Sequence, residues 1–414
     1  MPPLCACFSR GVPAASSSSS AGGTGVLRGV ANRLGASFKL RFSSAVGAAR
    51  YYQDDVPTLV NPAYLESRLK DRDQQQDGRK LHVLDCTWYL PNQNRSAADE
   101  FMTQGRIVGA KFFDLDAVAD TTTSLPHMLP SEGAFAAAMD ALGIKPEDGM
   151  YCTAFCTEPS PTDTPSLLPS HCLRSYSMRT DHAEIVCYDR QGVFSAPRAW
   201  WTMQAFGHKG GVSVLNGGLP AWQQAFGNGY MMDTRAIEDR GEVERPGAAC
   251  SKWMPGDKVS YASSLQKGLV KTLEDVVATY EKKTGETVID ARPAGRWQGV
   301  APEPRKGLPS GHVPGSKNIP WDAVLETIDA ADQPEKTYKR FKSENEIREV
   351  FAAAGLDARS TDFGSVVASC GSGTTACILV LASEQIQGKV GIMSVYDGSW
   401  SEYGASGSRI DTTE

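Results

Sequence analysis

The fold is indicated most directly by residues 363–388, which read FGSVVASCGSGTTACILVLASEQIQG. An apolar, β-branched run leads to Cys370, small residues follow it, and a stretch that is apolar at helical spacing ends at Gly388. This succession predicts a buried strand, a tight loop and a helix. The loop therefore presents a single cysteine between a strand end and a helix start.

The chain contains the same succession in its earlier part. Three pairs of segments resemble each other: EIVCYDRQGVFSA (184–196) with SVVASCGSGTTA (365–376), KLHVLDCTWYLP (80–91) with ETVIDARPAGRW (286–297), and VSVLNGGLPAW (212–222) with IMSVYDGSW (392–400). Each half alternates short β-branched runs with longer helical patterns, which indicates parallel strands joined by crossover helices. We therefore predict an α/β protein with two similar domains, each a parallel sheet flanked by helices.

The repeat sets the predicted domain bounds. We expect an N-terminal domain at 57–232, a polar, Gly- and Pro-rich linker at 233–268, and a C-terminal domain at 269–408. The first domain is longer, and the extra length falls near 151–183, which is rich in Pro, Ser and Thr and has no clear periodicity. Such a long structureless segment is unusual inside a compact domain. Two interpretations stay open: a surface loop, or sequence that is absent from the mature protein.

The first fifty residues differ from the rest of the chain. They contain basic residues, a serine run and no Asp or Glu. This composition is typical of an organelle transit peptide, and a disordered basic tail is the alternative. We expect 1–50 to be such a transit peptide and the protein to be mitochondrial, with plastid or cytoplasmic locations as alternatives.

Bulk composition excludes several function classes. The net charge of −6 over 414 residues gives no general nucleic-acid signal. No apolar run reaches the about 18 residues that a membrane helix needs. The ten cysteines do not form paired zinc motifs, and in a chain this long they do not indicate a disulfide scaffold. We expect no metal, no cofactor, no nucleic acid and no membrane.

Cys370 is the candidate nucleophile. A loop that feeds a helix N-terminus offers unpaired N–H groups and the positive end of the helix dipole, and both stabilise a thiolate. Gly371 and Gly373 allow the backbone to curl, and Ser372, Thr374 and Thr375 add hydroxyl donors. A buried core cysteine is the alternative. The first half carries Asp189 at the matching position, so we predict that this half is non-catalytic.

Two enzyme classes use a cysteine in such a loop. A phosphatase loop has an arginine six residues after the cysteine, where it clamps the phosphate. Ala376 holds that position here, and the loop contains no cation. A sulfurtransferase only has to hold a persulfide, which is a smaller anion, so the loop favours sulfur transfer.

The chain resembles the 3-mercaptopyruvate sulfurtransferases of the rhodanese superfamily. The loop CGSGTTA carries the resemblance, together with LDCTWYLP, HMLPSEGAF, APRAWW, AFGH, GRWQGVAPEPRKGLPSGHVPGSKNIPW and YDGSW. The similarity covers nearly all of 57–405 outside the insert, and it implies two tandem rhodanese-like domains. Thiosulfate-specific relatives usually carry basic residues in the loop, where Gly371 and Ser372 stand here. Thr374 replaces the family's usual aliphatic residue, and we expect little effect from this departure.

The resemblance also implies roles for residues outside the loop. It places a Ser-His-Asp arrangement at Ser372, His127 and Asp116, and it matches Arg296 and Arg305 to substrate-binding arginines. Arginine suits the planar carboxylate of a 2-oxo acid. The alternatives are an interface histidine that caps the following helix and a solvated surface pair of arginines. Pro126 stands where the family often has Asp, which leaves the local loop geometry open.

The resemblance completes the predicted reaction. The substrate is 3-mercaptopyruvate, pyruvate is released, and a thioredoxin-like thiol or cyanide takes the sulfur from a Cys370 persulfide. The predicted substrate-binding set is Arg296, Arg305, Gly371, Gly373, Thr374 and Thr375. A thiosulfate:cyanide sulfurtransferase and a non-catalytic rhodanese-like binding protein are the two competing functions.

Overall fold

The protein is described from a computed structural model. The described residues are 56–71, 80–145, 183–234, 252–330, 333–356, 363–389 and 391–413. The predicted transit peptide (1–50) lies outside them, as do the predicted insert (151–183) apart from Ala183 and the middle of the predicted linker (235–251). Within the described residues, no helix combines the length and the apolar character that crossing a membrane requires.

The first half builds one five-stranded parallel sheet with the strand order β1-β6-β5-β2-β4. Its strands are β1 (Leu59–Val60), β2 (Leu81–Asp85), β4 (Lys111–Phe112), β5 (Glu184–Tyr188) and β6 (Val212–Leu215). Its helices are α1 (Pro62–Lys70), α2 (Ala97–Thr103), α3 (Glu132–Ala141), α4 (Ala196–Ala205) and α5 (Gly218–Phe226). β3 (Arg106–Ile107) and β7 (Met232–Asp233) form a separate antiparallel pair. β2 and β5 are buried along their whole length, as expected for central parallel strands.

The second half builds another five-stranded parallel sheet, with the order β10-β9-β13-β14-β8. Its strands are β8 (Val270–Lys271), β9 (Thr287–Asp290), β10 (Lys317–Asn318), β13 (Val366–Ser369) and β14 (Ser394–Tyr396). Its helices are α6 (Leu273–Glu281), α7 (Ala294–Gln298), α8 (Glu344–Ala353), α9 (Ala376–Gln387) and α10 (Ser399–Tyr403). Short 3₁₀ turns lie at Pro91–Gln93, Lys267–Leu269, Trp321–Val324 and Phe363–Ser365.

The two sheets have the same topology. Read from the other edge, the second order is β8-β14-β13-β9-β10, so each strand has a counterpart at the same place in the first sheet. β5, which precedes Asp189, and β13, which precedes Cys370, both occupy the central position. The predicted fold class, two tandem α/β units with parallel sheets flanked by helices, is confirmed. The exact domain bounds stay a prediction.

Several helices begin where the sequence supplies a side-chain cap. Ser131 caps α3, and both Thr272 before α6 and Ser343 before α8 form capping boxes with the acidic residue three positions later. Such a cap satisfies N–H groups that the helix itself leaves unpaired. Helix starts are therefore encoded locally in this chain.

α4 and α9 join the two halves. Every residue of α4 and most residues of α9 are buried, and the two helices contact each other. A helix that is buried all round belongs to the interior of a larger core. One hydrophobic cluster accordingly contains residues of both sheets, such as Ile185 and Ile289. The loops after β5 and β13 are held against this shared core.

An antiparallel hairpin was not predicted from the sequence. It consists of β11 (Leu325–Ala330) and β12 (Gln333–Phe341) and extends from the second half. Tyr338 donates a hydrogen bond to Gln224 Oε1 at 2.8 Å, and the Phe341 N–H donates to Asn216 Oδ1 at 2.9 Å. The hairpin therefore contacts the first half. Its polar segment forms strands through this packing, which sequence periodicity alone does not reveal.

Candidate active site

Cys370 lies directly after the central strand β13, and its side chain is only 2% exposed. Its N–H donates to Ser399 Oγ at 3.2 Å, and its carbonyl accepts the Trp400 N–H at 3.0 Å. Ser401 donates both its N–H and its hydroxyl to the Gly371 carbonyl. The loop is thus fastened to α10 on one side. Within the described residues, the N–H groups of 371–375 have no protein acceptor.

Only one of the two loop glycines adopts a left-handed backbone. Gly373 has φ +75°, and a Cβ there would lie 2.8 Å from Arg198 Nη1 and 3.0 Å from the Asp397 carbonyl oxygen. Gly371 has no such φ, and a Cβ there would lie 3.4 Å from Arg305 Nη1 and 3.5 Å from Arg296 Nη2. Position 373 therefore requires glycine, both for its left-handed backbone and because a side chain there would meet Arg198 and Asp397. Gly371 has no left-handed backbone, and it faces the two arginines.

His127 reaches this loop from the first half. Its Nδ1 lies 3.0 Å from Ser372 Oγ and 3.1 Å from Thr374 Oγ1. Its Nε2 lies 3.1 Å from Asp116 Oδ1. The histidine is buried and has φ +61°, a left-handed conformation that is uncommon for non-glycine residues. The three residues that the resemblance grouped are therefore in contact, across 245 residues of sequence between His127 and Ser372.

Asp116 is oriented by two partners. Trp88 Nε1 donates to its Oδ2 at 2.9 Å, and the Trp88 ring meets the His127 ring edge-on with centroids 4.8 Å apart. Partial burial raises the pKa of Asp116, but the hydrogen bond and charge of His127 and the bond from Trp88 outweigh it and lower the pKa below its ordinary value. The side chain is still 65% exposed. Asp116 is therefore an ionised acceptor for His127 at neutral pH.

A buried ion pair ties the His127 loop to the cysteine loop. Arg198 on α4 donates to Asp397 Oδ1 at 2.7 Å, to the His127 carbonyl at 2.5 Å and to the Gly373 carbonyl at 3.3 Å. Asp397 Oδ2 accepts the Leu129 N–H at 2.8 Å. Burial opposes the charge of Arg198, but Asp397 raises its pKa above the ordinary value. Neither Arg198 nor Asp397 was predicted as a site residue, although a charge inside the otherwise apolar APRAWW stretch is a usable sequence signal.

The two predicted substrate arginines have different surroundings. Arg296 and the buried Arg292 both donate to Glu303, whose side chain is 2% exposed. Arg292 also pairs with Asp290 and lies under the Trp400 ring, which makes it part of the core. Arg305 has no hydrogen-bond or ion-pair partner among the described residues. Burial and the neighbouring charge of Arg296 lower the pKa of Arg305, while the charges of Cys370 and Glu303 oppose this shift.

The remaining predicted residue, Thr375, lies at the start of α9. Its side chain does not cap the helix, and it forms no hydrogen bond with His127 or the arginines among the described residues. Thr374 is buried and touches His127 instead, as described above. The structure therefore brings together Cys370, Ser372, His127, Asp116 and, above Gly371, both arginines.

In the corresponding loop of the first half, the backbone N–H groups are bound by the carboxylate of Asp189, a residue of the loop itself. Asp189 Oδ2 accepts the N–H groups of Phe194, Ser195 and Ala196 at 2.8–3.0 Å, and Oδ1 accepts that of Gln191 at 2.9 Å. A carboxylate held by backbone N–H groups stabilises such a loop without any ligand. It also leaves no thiol there.

The other described cysteines are core residues. Cys86, Cys187 and Cys377 are free and buried. Burial raises the pKa of Cys377 to about 12, with smaller effects from nearby charges, so this thiol stays protonated at neutral pH. Among the described residues there is also no group of three or more His, Cys, Asp and Glu side chains that fits a metal.

The site contains the Cys370 thiol, a histidine that is hydrogen-bonded to a carboxylate, hydroxyls within hydrogen-bond distance of that histidine, and two arginines near Gly371. This set suits attack of sulfur on sulfur in an anionic substrate, followed by proton transfer. The parts come from both halves of the chain, because His127 and Asp116 lie in the first and Cys370 in the second.

The chain is similar to several known proteins. The rhodanese-like domain family matches residues 153–225, a match that begins inside the predicted insert. The mitochondrial thiosulfate/3-mercaptopyruvate sulfurtransferase 1 of Arabidopsis thaliana is 36% identical, over 83% of this chain and 75% of that protein. The 3-mercaptopyruvate sulfurtransferase of Escherichia coli K12 is 31% identical, over 80% of this chain and 91% of that protein.

Solved structures give the same result. The crystal structure of SseA, the Escherichia coli 3-mercaptopyruvate sulfotransferase, superimposes with a TM-score of 0.55 at 26% identity, covering 83% of this chain and 98% of that one. The sulfur transferase subunit of yeast mitochondrial complex I superimposes with a TM-score of 0.61 at 32% identity, covering 86% of this chain and all of that one. The sequence relatives and the shared fold thus place the chain in the family of 3-mercaptopyruvate sulfurtransferases, and it is an enzyme that transfers sulfur-containing groups.

Proposed function

We propose that Cys370 takes the sulfur atom of 3-mercaptopyruvate and passes it to a thiol. The single observation that carries this proposal is the contact of His127 with Ser372, which sets an acid–base pair beside the cysteine loop. In the first half-reaction, the Cys370 thiolate attacks the substrate sulfur, the carbon–sulfur bond breaks, and the electron pair leaves on carbon as the enolate of pyruvate. Cys370 then carries a persulfide.

The proton balance of this step explains the need for His127. The substrate enters with a proton on sulfur, and pyruvate leaves with one more hydrogen on carbon. A relay of Ser372 and His127 therefore moves one proton from the substrate thiol to the enolate carbon, with no net gain or loss. Asp116 stabilises the imidazolium that exists in between, because its lowered pKa keeps it ionised.

In this proposal, Arg296 and Arg305 bind the carboxylate of the substrate. Arg305 is a half-buried cation without a protein partner among the described residues, and it lies next to Gly371 together with Arg296. A carboxylate bound there gains charge-assisted hydrogen bonds. Glu303 holds Arg296 in position. Gly373, Thr374 and Thr375 shape the loop around the anionic sulfur, and the N-terminus of α9 favours its charge.

The second half-reaction returns the enzyme to its resting state. A thiol attacks the outer sulfur of the persulfide, which leaves Cys370 as a thiolate and the acceptor as a persulfide. We propose a thioredoxin-like dithiol as acceptor, because its second thiol then releases hydrogen sulfide and forms a disulfide. Cyanide is the simpler alternative acceptor.

We also propose that the protein acts in mitochondria. The basic, serine-rich segment 1–50 supports this, and so does the mitochondrial location in the name of the Arabidopsis relative. Fractionation of cells that express the full chain with a C-terminal tag tests this location. A tagged protein found only outside mitochondria contradicts it.

The test of the reaction is pyruvate release from 3-mercaptopyruvate by the full chain, with thioredoxin as acceptor. We expect turnover by the wild type and by Cys86→Ala, which removes a buried thiol of the other half, and none by Cys370→Ser. Intact mass after substrate without acceptor is expected to show one added sulfur atom on Cys370. Thiosulfate with cyanide is the second substrate pair, and faster turnover of that pair favours the thiosulfate function. No sulfur transfer in either assay by a folded wild type favours the binding-protein alternative.

A further inference from the structure

His127 Nδ1 is approached by two hydroxyls. Ser372 Oγ lies 3.0 Å from it and Thr374 Oγ1 lies 3.1 Å from it, both within hydrogen-bond distance. The opposite nitrogen, Nε2, is engaged by Asp116 Oδ1. A histidine relay needs only one hydroxyl on Nδ1, so the second contact requires an explanation.

The protonation state of the ring limits what the two hydroxyls do. Because Asp116 is ionised, it accepts the Nε2 proton, and Nδ1 of the neutral imidazole is then an acceptor with a single lone pair. Ser372 and Thr374 compete for that lone pair as donors. When the ring becomes an imidazolium, Nδ1 carries a proton and can donate it to the hydroxyl oxygen of either Ser372 or Thr374. At each stage one hydroxyl is bonded to His127 and the other is released.

Position distinguishes the two hydroxyls. Ser372 is next in sequence to Gly371, which faces Arg296 and Arg305, and it is 7% exposed. Thr374 is 3% exposed, and its carbonyl accepts the Cys377 N–H at the start of α9. β-Branching also leaves Thr374 fewer rotamers than serine. Thr374 is therefore the more confined of the two hydroxyls, and Ser372 has the greater freedom to turn.

We propose that Thr374 is a positioning residue: it holds His127 Nδ1 while the Ser372 hydroxyl turns between the substrate sulfur and the enolate carbon. Ser372 gives its proton to Nδ1 as it takes the proton of the substrate thiol, and it takes one back from Nδ1 as it protonates the carbon, so the serine stays neutral throughout. This inference rests on the proposed sulfur transfer, in which Ser372 and His127 form the relay. In the absence of the Thr374 hydroxyl, Nδ1 loses its partner whenever Ser372 leaves it. In the absence of the Ser372 hydroxyl, Thr374 takes over part of the relay.

The first test measures His127 directly. Full-length protein with ¹⁵N-labelled histidine is compared as wild type, Thr374→Val and Thr374→Ser, with His127→Gln to assign the signal among the six histidines. We expect the Nδ1 resonance of Thr374→Val to move part of the way toward that of an unprotonated nitrogen without a hydrogen bond, because only Ser372 then donates to the lone pair, and we expect Thr374→Ser to restore the wild-type position. Thr279→Val is the matched control, because it removes a threonine hydroxyl on α6 that donates to the Val276 carbonyl. We expect it to leave the Nδ1 signal unchanged. An unchanged Nδ1 signal in Thr374→Val overturns the inference, whether or not the enzyme turns over mercaptopyruvate.

The second test measures coupling in pyruvate release. We expect Thr374→Val to lower kcat about 3-fold with little change in KM, Ser372→Ala to lower it about 5-fold, and the double variant to lower it by about 10²-fold, the lower end of a general acid–base contribution. A double variant that loses only the product of the two single losses overturns the inference. Cys370→Ser abolishes turnover but leaves the Nδ1 signal in place, so failure of sulfur transfer and failure of this inference are distinguishable.

Discussion

Arg198 and Asp397 stand 199 residues apart in sequence and form a buried ion pair with 2.7 Å between Nη2 and Oδ1. Arg198 belongs to α4 of the first sheet unit, and Asp397 follows β14 of the second. Because Arg198 also holds the carbonyls of His127 and Gly373, this pair connects the histidine loop with the cysteine loop. Its removal is the most direct way to disturb the site without touching a reacting group.

We expect Arg198→Met to lower the free energy of unfolding by about 3–5 kcal/mol, because it leaves the Asp397 carboxylate buried without its partner. Sulfur transfer is expected to fall as His127 loses its anchor. Equilibrium urea denaturation measures the first effect. Arg340→Met removes an exposed pair with Glu326 and is expected to change stability by less than about 1 kcal/mol. A loss for Arg198→Met no larger than that of this control contradicts the role of the pair.

Gly373→Ala is expected to damage both stability and activity. The left-handed backbone costs a non-glycine residue about 1–2 kcal/mol, and the new Cβ also meets Arg198 and Asp397. Gly388→Ala is the matched control, because Gly388 has φ +61° with nothing within 4 Å. We expect activity to fall at least about tenfold in Gly373→Ala and to persist in Gly388→Ala. Activity is measured as kcat/KM for mercaptopyruvate. Equal values in the two variants contradict the expectation that position 373 has no room for a side chain.

Arg305→Ala is expected to raise KM for mercaptopyruvate by about 10–100-fold, the loss of one charge-assisted hydrogen bond to a carboxylate. We expect the KM of Arg305→Lys to lie between those of the wild type and Arg305→Ala, because lysine keeps the charge but not the planar fork of donors. Lys306→Ala removes the adjacent exposed cation and serves as the control, with KM unchanged. Steady-state kinetics at fixed thiol acceptor separates KM from kcat. A change in kcat alone places Arg305 outside the binding of the substrate carboxylate.

Stability is expected to depend on pH through Glu384, a buried carboxyl on α9. Burial raises its pKa to about 8, although the hydrogen bond from the Gly391 N–H and the nearby Gln204 side chain act in the opposite direction. Since the folded pKa lies above the unfolded one, folding favours the protonated form. This contribution is complete below about pH 4.5 and is lost as pH rises through about 8.

Glu384→Gln, which cannot ionise, is therefore expected to exceed the wild type in stability at pH 9 by on the order of 5 kcal/mol, with the difference shrinking toward pH 5. Urea denaturation across this pH range measures the difference. The exposed Glu281→Gln is the control and is expected to follow the wild-type curve within about 0.5 kcal/mol. A Glu384→Gln curve parallel to the wild type contradicts the raised pKa.

The sequence by itself determined the local succession of strand, loop and helix. Alternation of buried β-branched runs with helical periodicity predicted two similar α/β units, because the period of the apolar residues specifies which face is buried. The cysteine in one loop and the aspartate in its counterpart predicted which half carries the nucleophile, and this assignment stays a prediction. Cap residues such as Ser343 marked helix starts, because capping depends only on neighbours in the chain.

Only the tertiary structure decided how groups from distant segments meet. The approach of His127 to both Ser372 and Thr374, the Arg198–Asp397 pair and the contact of the β11–β12 hairpin with the first half all depend on how α4 and α9 pack. Such contacts join residues 100 or more positions apart, and no local periodicity encodes them. Resemblance supplied three members of the relay, but the second hydroxyl on His127 became visible only in the packed site, because hydrogen bonding there is set by distances of a few tenths of an ångström.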